Sequence, residues 1–151
     1  MAPEVETIFI DTNVPIYAAG RPHPLKQPCI EVLQWASVQP MAFVTDAEVL
    51  QELLHRYLSL RLWPQGKDVL EWFADLMEGR IEPVHAADVR QAAQLAGGLR
   101  QLSGRDLLHA AVMQRVGVNR MVSADAGFDG LPGVERLDPA LVAEWAPGAN
   151  E

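Results

Sequence analysis

The feature that most limits what this chain can fold into is a repeated alternation. Short runs rich in β-branched residues take turns with longer segments whose apolar residues recur at helical spacing. Residues 7–11 (TIFID), 42–45 (AFVT), 81–85, 120–123 (RMVS) and 134–137 read as strands. Between them the spacing predicts a brief helix over 13–19, ended by Gly20 and the proline-rich loop behind it, and a second helix opened by Pro28 and running to about Val38. In that second helix Cys29, Val32, Leu33 and Ala36 fall at i, i+3, i+4 and i+7, one buried face. Further helices are predicted from Asp46 past Tyr57, over 66–77, 86–96 and 106–116, the last closed by Gly117, and over 138–145. Strands separated by helices cannot pair as hairpins. They favour a mostly parallel sheet of four to five strands with helices on both faces, a three-layer α/β/α domain spanning residues 1–151.

Composition narrows the function classes. With 49 % apolar and 21 % charged residues and a mean hydropathy of +0.01, the chain has the balance of a soluble globular protein. No apolar run approaches the roughly 20 residues of a membrane helix, so no membrane partner is expected. The first seven residues carry two glutamates and no basic or apolar leader, which is not a secretory signal. Cys29 is the only cysteine, so neither an intrachain disulfide nor a cysteine-based zinc site is available, and the cytoplasm is the expected compartment. A net charge of −8 and a pI near 4.9 argue against gripping nucleic acid through a broad basic surface. An enzyme that meets phosphates through bound cations stays compatible with that charge, since the ions supply the positive sign.

The acids stand where open parallel sheets gather function, at the carboxyl ends of strands. Asp11 follows TIFI, Asp46 follows FVT, and Asp125 lies two residues past Ser123. Glu48 and Glu52 sit one turn apart on a helix, and Asp106 lies in the first turn of another. Alone, Asp11, Asp46, Asp106 and Asp125 are each explained by capping, which is worth roughly 1 kcal/mol, and Asp46 is expected to be only a cap, while Glu48 and Glu52 alone would be solvated helix residues. Capping does not explain convergence. Carboxylates about 4 Å apart repel by roughly 4 kcal/mol at an effective dielectric of about 20, unless a cation lies between them or their pKa values rise. An all-oxygen donor set suits Mg²⁺ or Mn²⁺, which can activate water for attack on a phosphodiester.

Four segments resemble, in order, the motifs of the PIN-domain family. Phe9-Ile10-Asp11-Thr12-Asn13 is similar to its opening strand and acid, and Val49-Leu50-Gln51-Glu52-Leu53 to its second acid on a helix. The stretch from Ser103 to Ala111 (SGRDLLHAA) resembles the third motif, around Asp106. Val122-Ser123-Ala124-Asp125 resembles the fourth, with Ser123 in place of the commoner Thr. The resemblance covers nearly the whole chain. It implies a Mg²⁺- or Mn²⁺-dependent endoribonuclease with Asp11, Glu52, Asp106 and Asp125 as catalytic and metal-holding acids. Asn13 and Ser123 would orient them, with Thr12, Glu48 and Asp129 as neighbours. Asp129 is an extra acid near the fourth motif, and Asp125 is favoured over it. Members of this length resemble VapC toxins, which implies an RNA substrate, a homodimer and a cognate antitoxin. Arg21, Lys26 and Arg105 are candidates for holding RNA phosphates.

Three other readings compete. Glu52-x-x-His55 and Asp106-x-x-His109 echo the Glu-x-x-His pairs of di-iron bundles, but such bundles have no sheet, so both histidines are expected to be packed or hydrogen-bonded helix residues, with a place near a metal as the lesser option for His109. Asp11 after an apolar strand also fits an aspartate-nucleophile phosphatase, yet Asn13 stands where that pattern repeats an Asp, and the only lysines, Lys26 and Lys67, are in no late motif. A catalytically silent PIN-like adaptor would have no reason to retain mutually repelling acids. Trp63, Trp72 and Phe73, which could stack on bases, are expected in the core or at a partner interface.

Overall fold

In the computed structural model, which describes residues 6–97 and 101–146, five short strands form one parallel sheet. Residues 1–5, most of the stretch read as no secretory signal, lie outside those residues. The strands are β1 (Ile8–Ile10), β2 (Phe43–Asp46), β3 (Ile81–Glu82), β4 (Arg120–Val122) and β5 (Glu135–Leu137), in the spatial order β3-β2-β1-β4-β5. The helices are α1 (Asn13–Ala19), α2 (Lys26–Val38), α3 (Ala47–Ser59), α4 (Trp63–Leu76), α5 (Ala86–Leu95), α6 (Gly104–Val116) and α7 (Val142–Trp145). From β1 the chain steps outward twice through α1–α4, then returns through α5 and α6 to the other side of β1. Right-handed crossovers stepping in opposite directions put α1–α4 and α5–α6 on opposite faces, the expected three layers.

β1 is central, and its register pairs Phe9 with Val44 on one side and Met121 on the other. Ile8, Phe9 and Ile10 are all buried, as a strand covered on both faces requires. Each such side chain contributes roughly 1.5–3 kcal/mol of burial. They join Val14, Val32, Leu53, Phe73, Met113 and Phe128 in the core. The C-terminal edge of β1 is pinned from both neighbours: Thr45 Oγ1 donates to Ile10 O (3.0 Å), and Asp11 N donates to Val122 O (3.1 Å).

Several element bounds differ from the sequence expectation. α2 begins at Lys26, which puts Pro28 in its first turn, where a missing N–H costs nothing. α4 begins at Trp63 with Pro64 in its first turn, so Gly66 lies inside the helix. A Cβ on Gly66 would fall 2.2 Å from Tyr57 Cβ, and this glycine serves the close approach of α3 and α4. α6 starts at Gly104, capped by Ser103, and ends in a left-handed Gly117 (φ 75°). β3 is only two residues long, because Pro83 cannot donate to a ladder. The expected terminal helix opens as a 3₁₀ turn, Pro139–Leu141, before the four-residue α7.

Candidate functional site

The four sequence-singled acids reach one cavity of about 200 Å³, lined by Asp11, Thr12, Asn13, Ile16, Glu52, Arg56, Arg105, Asp106 and Asp125. Each arrives on a different element: Asp11 from the end of β1, Glu52 from the second turn of α3, Asp106 from the first turn of α6, and Asp125 from the loop after β4.

Asp11 is almost fully buried and accepts three hydrogen bonds. Thr12 N donates to Oδ1 (2.8 Å), while Ser123 Oγ (2.6 Å) and Asn13 Nδ2 (3.2 Å) donate to Oδ2. Asn13 Oδ1 in turn accepts from Ala124 N (3.1 Å), so the loop after β4 is laced to the end of β1. Burial pushes the Asp11 carboxyl up to about 6, against the opposing pull of His109, Ser123 and Thr12, and the charge of Glu52 adds to the rise. Asp106 is also raised, first by burial and further by Asp125, against its hydrogen bonds from Ser103. Mutual repulsion of this kind means that the acids sit within each other's field.

Two of the four acids also cap. Asp106 forms a reciprocal box with Ser103, and Asp125 Oδ1 accepts from Gly127 N (2.8 Å). Asp46 Oδ1 caps α3 at Val49 N (3.0 Å), as expected, but its second oxygen has another partner. His109, fully buried on α6, brings Nδ1 to 2.8 Å from Asp46 Oδ2 and Nε2 to 2.8 Å from Glu52 Oε1, with Asp11 Oδ1 at 3.9 Å from Nε2. Burial alone would lower its pKa. The hydrogen bonds to Asp46 and Glu52 and the charges of Asp46 and Asp11 instead hold it well above the ordinary value. Burial acts to raise Glu52, but the hydrogen bond and charge of His109 more than offset that and hold it below the ordinary carboxylate range. His109 thus sits buried among three carboxylates, with both ring nitrogens facing carboxylate oxygens. The sequence reading had it packed or hydrogen-bonded and missed Asp46 as its anchor. The one available signal was a histidine on the buried side of α6, three residues after Asp106.

Other candidates fall elsewhere. His55 is exposed on the outer side of α3 and is not packed. Glu48 is raised by burial and by Glu52 but does not line the cavity. Asp129 pairs with Arg136 (2.8 Å), which also donates to Ser123 O, and so braces the loop from outside. Arg105 lines the cavity and Arg21 the adjoining cleft of about 890 Å³, whereas Lys26 Nζ donates to Gly20 O (2.6 Å) and staples α1 to α2. Arg56, not singled out by sequence, lines both cavity and cleft. Of the aromatics, Phe73 is core, Trp63 packs against the core and Trp72 is half-exposed. The parallel sheet and the exposed His55 leave no place for a di-iron bundle.

The donor chemistry fits a hard divalent ion. Asp11, Glu52, Asp106 and Asp125 supply oxygen atoms to the cavity, and Thr12 Oγ1 is buried beside Glu52, whose carboxyl it helps to hold low. Among the described residues no three His, Cys, Asp or Glu side chains converge into a ready-made cage.

The PIN-domain profile matches residues 8–134, a span that contains all four acids. The chain belongs to the PIN-domain family. Among PIN proteins it is 42 % identical over 121 residues to ribonuclease VapC23 of Mycobacterium tuberculosis, covering 78 % of this chain and 92 % of that one. It is 36 % identical over 133 residues to ribonuclease VapC13 of the same organism, covering 86 % and 98 %. The fold is shared with VapC20 of Mycobacterium tuberculosis, a sarcin–ricin-loop-cleaving toxin (TM-score 0.67, 22 % identity, 85 % and 99 % covered). It is shared too with VapBC2 of Rickettsia felis bound to a promoter DNA fragment (TM-score 0.65, 20 % identity, 87 % and 99 % covered). No helix among the described residues is long and apolar enough to cross a membrane.

Proposed function

We propose that this PIN protein is a divalent-metal-dependent endoribonuclease and the toxin of a toxin–antitoxin pair. One observation carries the reading: carboxylates from four distant segments line a single small cavity, an arrangement whose repulsion capping does not require. Asp11, Glu52, Asp106 and Asp125 are the side chains to hold Mg²⁺ or Mn²⁺, which when bound supplies an activated water and a counter-charge for the phosphodiester. Asn13 and Ser123 orient Asp11 through their hydrogen bonds to its Oδ2. Arg105 and Arg56 at the rim place positive charge where phosphate oxygens of an RNA strand would pass, fixing its position without reading its bases. In a chain of charge −8, this local pair is the electrostatic foothold for a polyanion.

The VapC names of the relatives and the fold shared with the VapBC2 complex support an antitoxin partner for this chain; a homodimer and a place in the cytoplasm, where RNA and antitoxin would be met, belong to the same reading. An apolar cavity of about 480 Å³ between α1, α2 and α4, with half-exposed Trp72 on its wall, holds no titratable group and is the kind of surface a protein partner covers.

The decisive experiment is RNA cleavage by the purified chain with Mg²⁺, Mn²⁺ or EDTA, compared with D11N. Cleavage is expected with either ion and not with EDTA. D11N should lose about 10³-fold of it, the several kcal/mol that metal-assisted chemistry contributes, while the metal-free variant melts at or above the wild-type temperature. Full cleavage by D11N, or cleavage in EDTA, overturns the assignment.

A further inference from the structure

Glu52 reaches the cavity from α3 on a flexible side chain, yet a metal-holding carboxylate has to be fixed to act. The structure shows what fixes it. Its Oε1 is tied back to His109 Nε2 at 2.8 Å, and the same ring is held from behind by Asp46 through Nδ1, also at 2.8 Å. Asp46 is itself immobile, because its other oxygen caps α3 at Val49 N and the residue is fully buried. The ring also packs against Phe9 of β1, with centroids 5.3 Å apart. Asp46, His109 and Glu52 therefore form one continuous line from the end of β2 to the cavity wall. We propose that His109, anchored by Asp46, is the positioning residue that sets the Glu52 carboxylate for the metal, occupying Oε1 so that Oε2 is left for the cavity. Neither His109 nor Asp46 lines the cavity, so both act through Glu52. The inference rests on the function proposed above.

The geometry sets a graded test. In D46N the cap holds the amide oxygen toward Val49, since Asn caps about as well as Asp, and the amide NH₂ then faces His109 Nδ1. The anchor changes from acceptor to donor while the helix start is kept. H109Q removes the ring itself. Wild type, E52Q, D46N and H109Q are titrated with Mn²⁺ alone, free ion being read by electron paramagnetic resonance, and RNA cleavage is followed as a function of Mn²⁺ concentration. Melting curves confirm folding.

H109Q should weaken Mn²⁺ binding by about 10–100-fold, the usual effect of losing an outer partner of a ligand, and D46N several-fold in the same direction. Saturating Mn²⁺ should restore most of the cleavage in both, which a merely structural defect would not allow. If H109Q does not fold, D46N decides alone. Mn²⁺ affinity within about twofold of wild type in folded D46N and H109Q, with E52Q clearly weakened, overturns the positioning role and leaves the nuclease reading intact. A wild type that binds no Mn²⁺ overturns both.

Discussion

The acidic cavity has two unlike walls. On one, Asp11 is only 4 % exposed, bonded three ways and raised to about 6, and Glu52 is strung to a buried His109. On the other, Asp106 and exposed Asp125 stand at the starts of a helix and a 3₁₀ turn, where each is already employed as a cap. The first wall is set by the sheet and core and cannot move without disturbing them. The second hangs on local turns. Rigidity is thus concentrated where charge is most costly to bury, and the open wall leaves room for water and substrate. The proposed catalytic role calls for both.

The largest expected contrast between the walls is in chemistry. E52Q should reduce RNA cleavage by about 10³-fold, whereas D125N, which keeps its cap, should lose only about 10- to 100-fold. Single-turnover assays at fixed Mn²⁺ measure both, and equal losses would erase the distinction between the two walls.

The next effect is on stability and its pH dependence. Asp11 in the metal-free protein titrates near 6 against an ordinary value of 3.8. A carboxyl whose folded value is raised adds stability that is full below the unfolded value and is lost as pH rises through the folded one. Metal-free protein should therefore lose on the order of 3 kcal/mol from this residue between about pH 4 and pH 7, with Asp106 adding in the same direction. Mn²⁺ should restore it, so the ion-induced rise in melting temperature should grow between pH 5.5 and 7.5. A rise independent of pH would mean that Asp11 does not meet the ion. The α5–α6 seam has the opposite sign. Burial acts to raise Asp88, but its hydrogen bonds from Arg115 (2.9 Å) and the His85 backbone hold it below its usual value. Its contribution is present above the unfolded value and disappears in acid.

The smallest effect belongs to Asp129. Its pairing with Arg136 is exposed, so D129N should change cleavage by less than about twofold. A larger loss would place Asp129, and not Asp125 alone, in the working set.

Much of this was legible in the sequence because it is local. Period-2 and period-3.6 patterns located strands and helices to within a few residues, and the order of acids at strand ends located the rim. The clamp on Glu52 was not legible, because it joins residues 63 and 57 positions apart. Asp46 looked fully explained as a cap, and one of its oxygens is. Nothing local declares what the second oxygen does. His55 and His109 stand at the same spacing from an acid, yet one faces solvent and the other the core, a difference set by which side of each helix the sheet covers. Gly66 read as a helix boundary because glycine usually marks one, whereas here it admits the flank of Tyr57.

The strand order has a last consequence. With β1 in the middle and later strands added on either side of it, the four acids come from positions 11, 52, 106 and 125. No half of the polypeptide contains the complete set. During translation the cavity these acids line stays unfinished until the segment around Asp125 has left the ribosome.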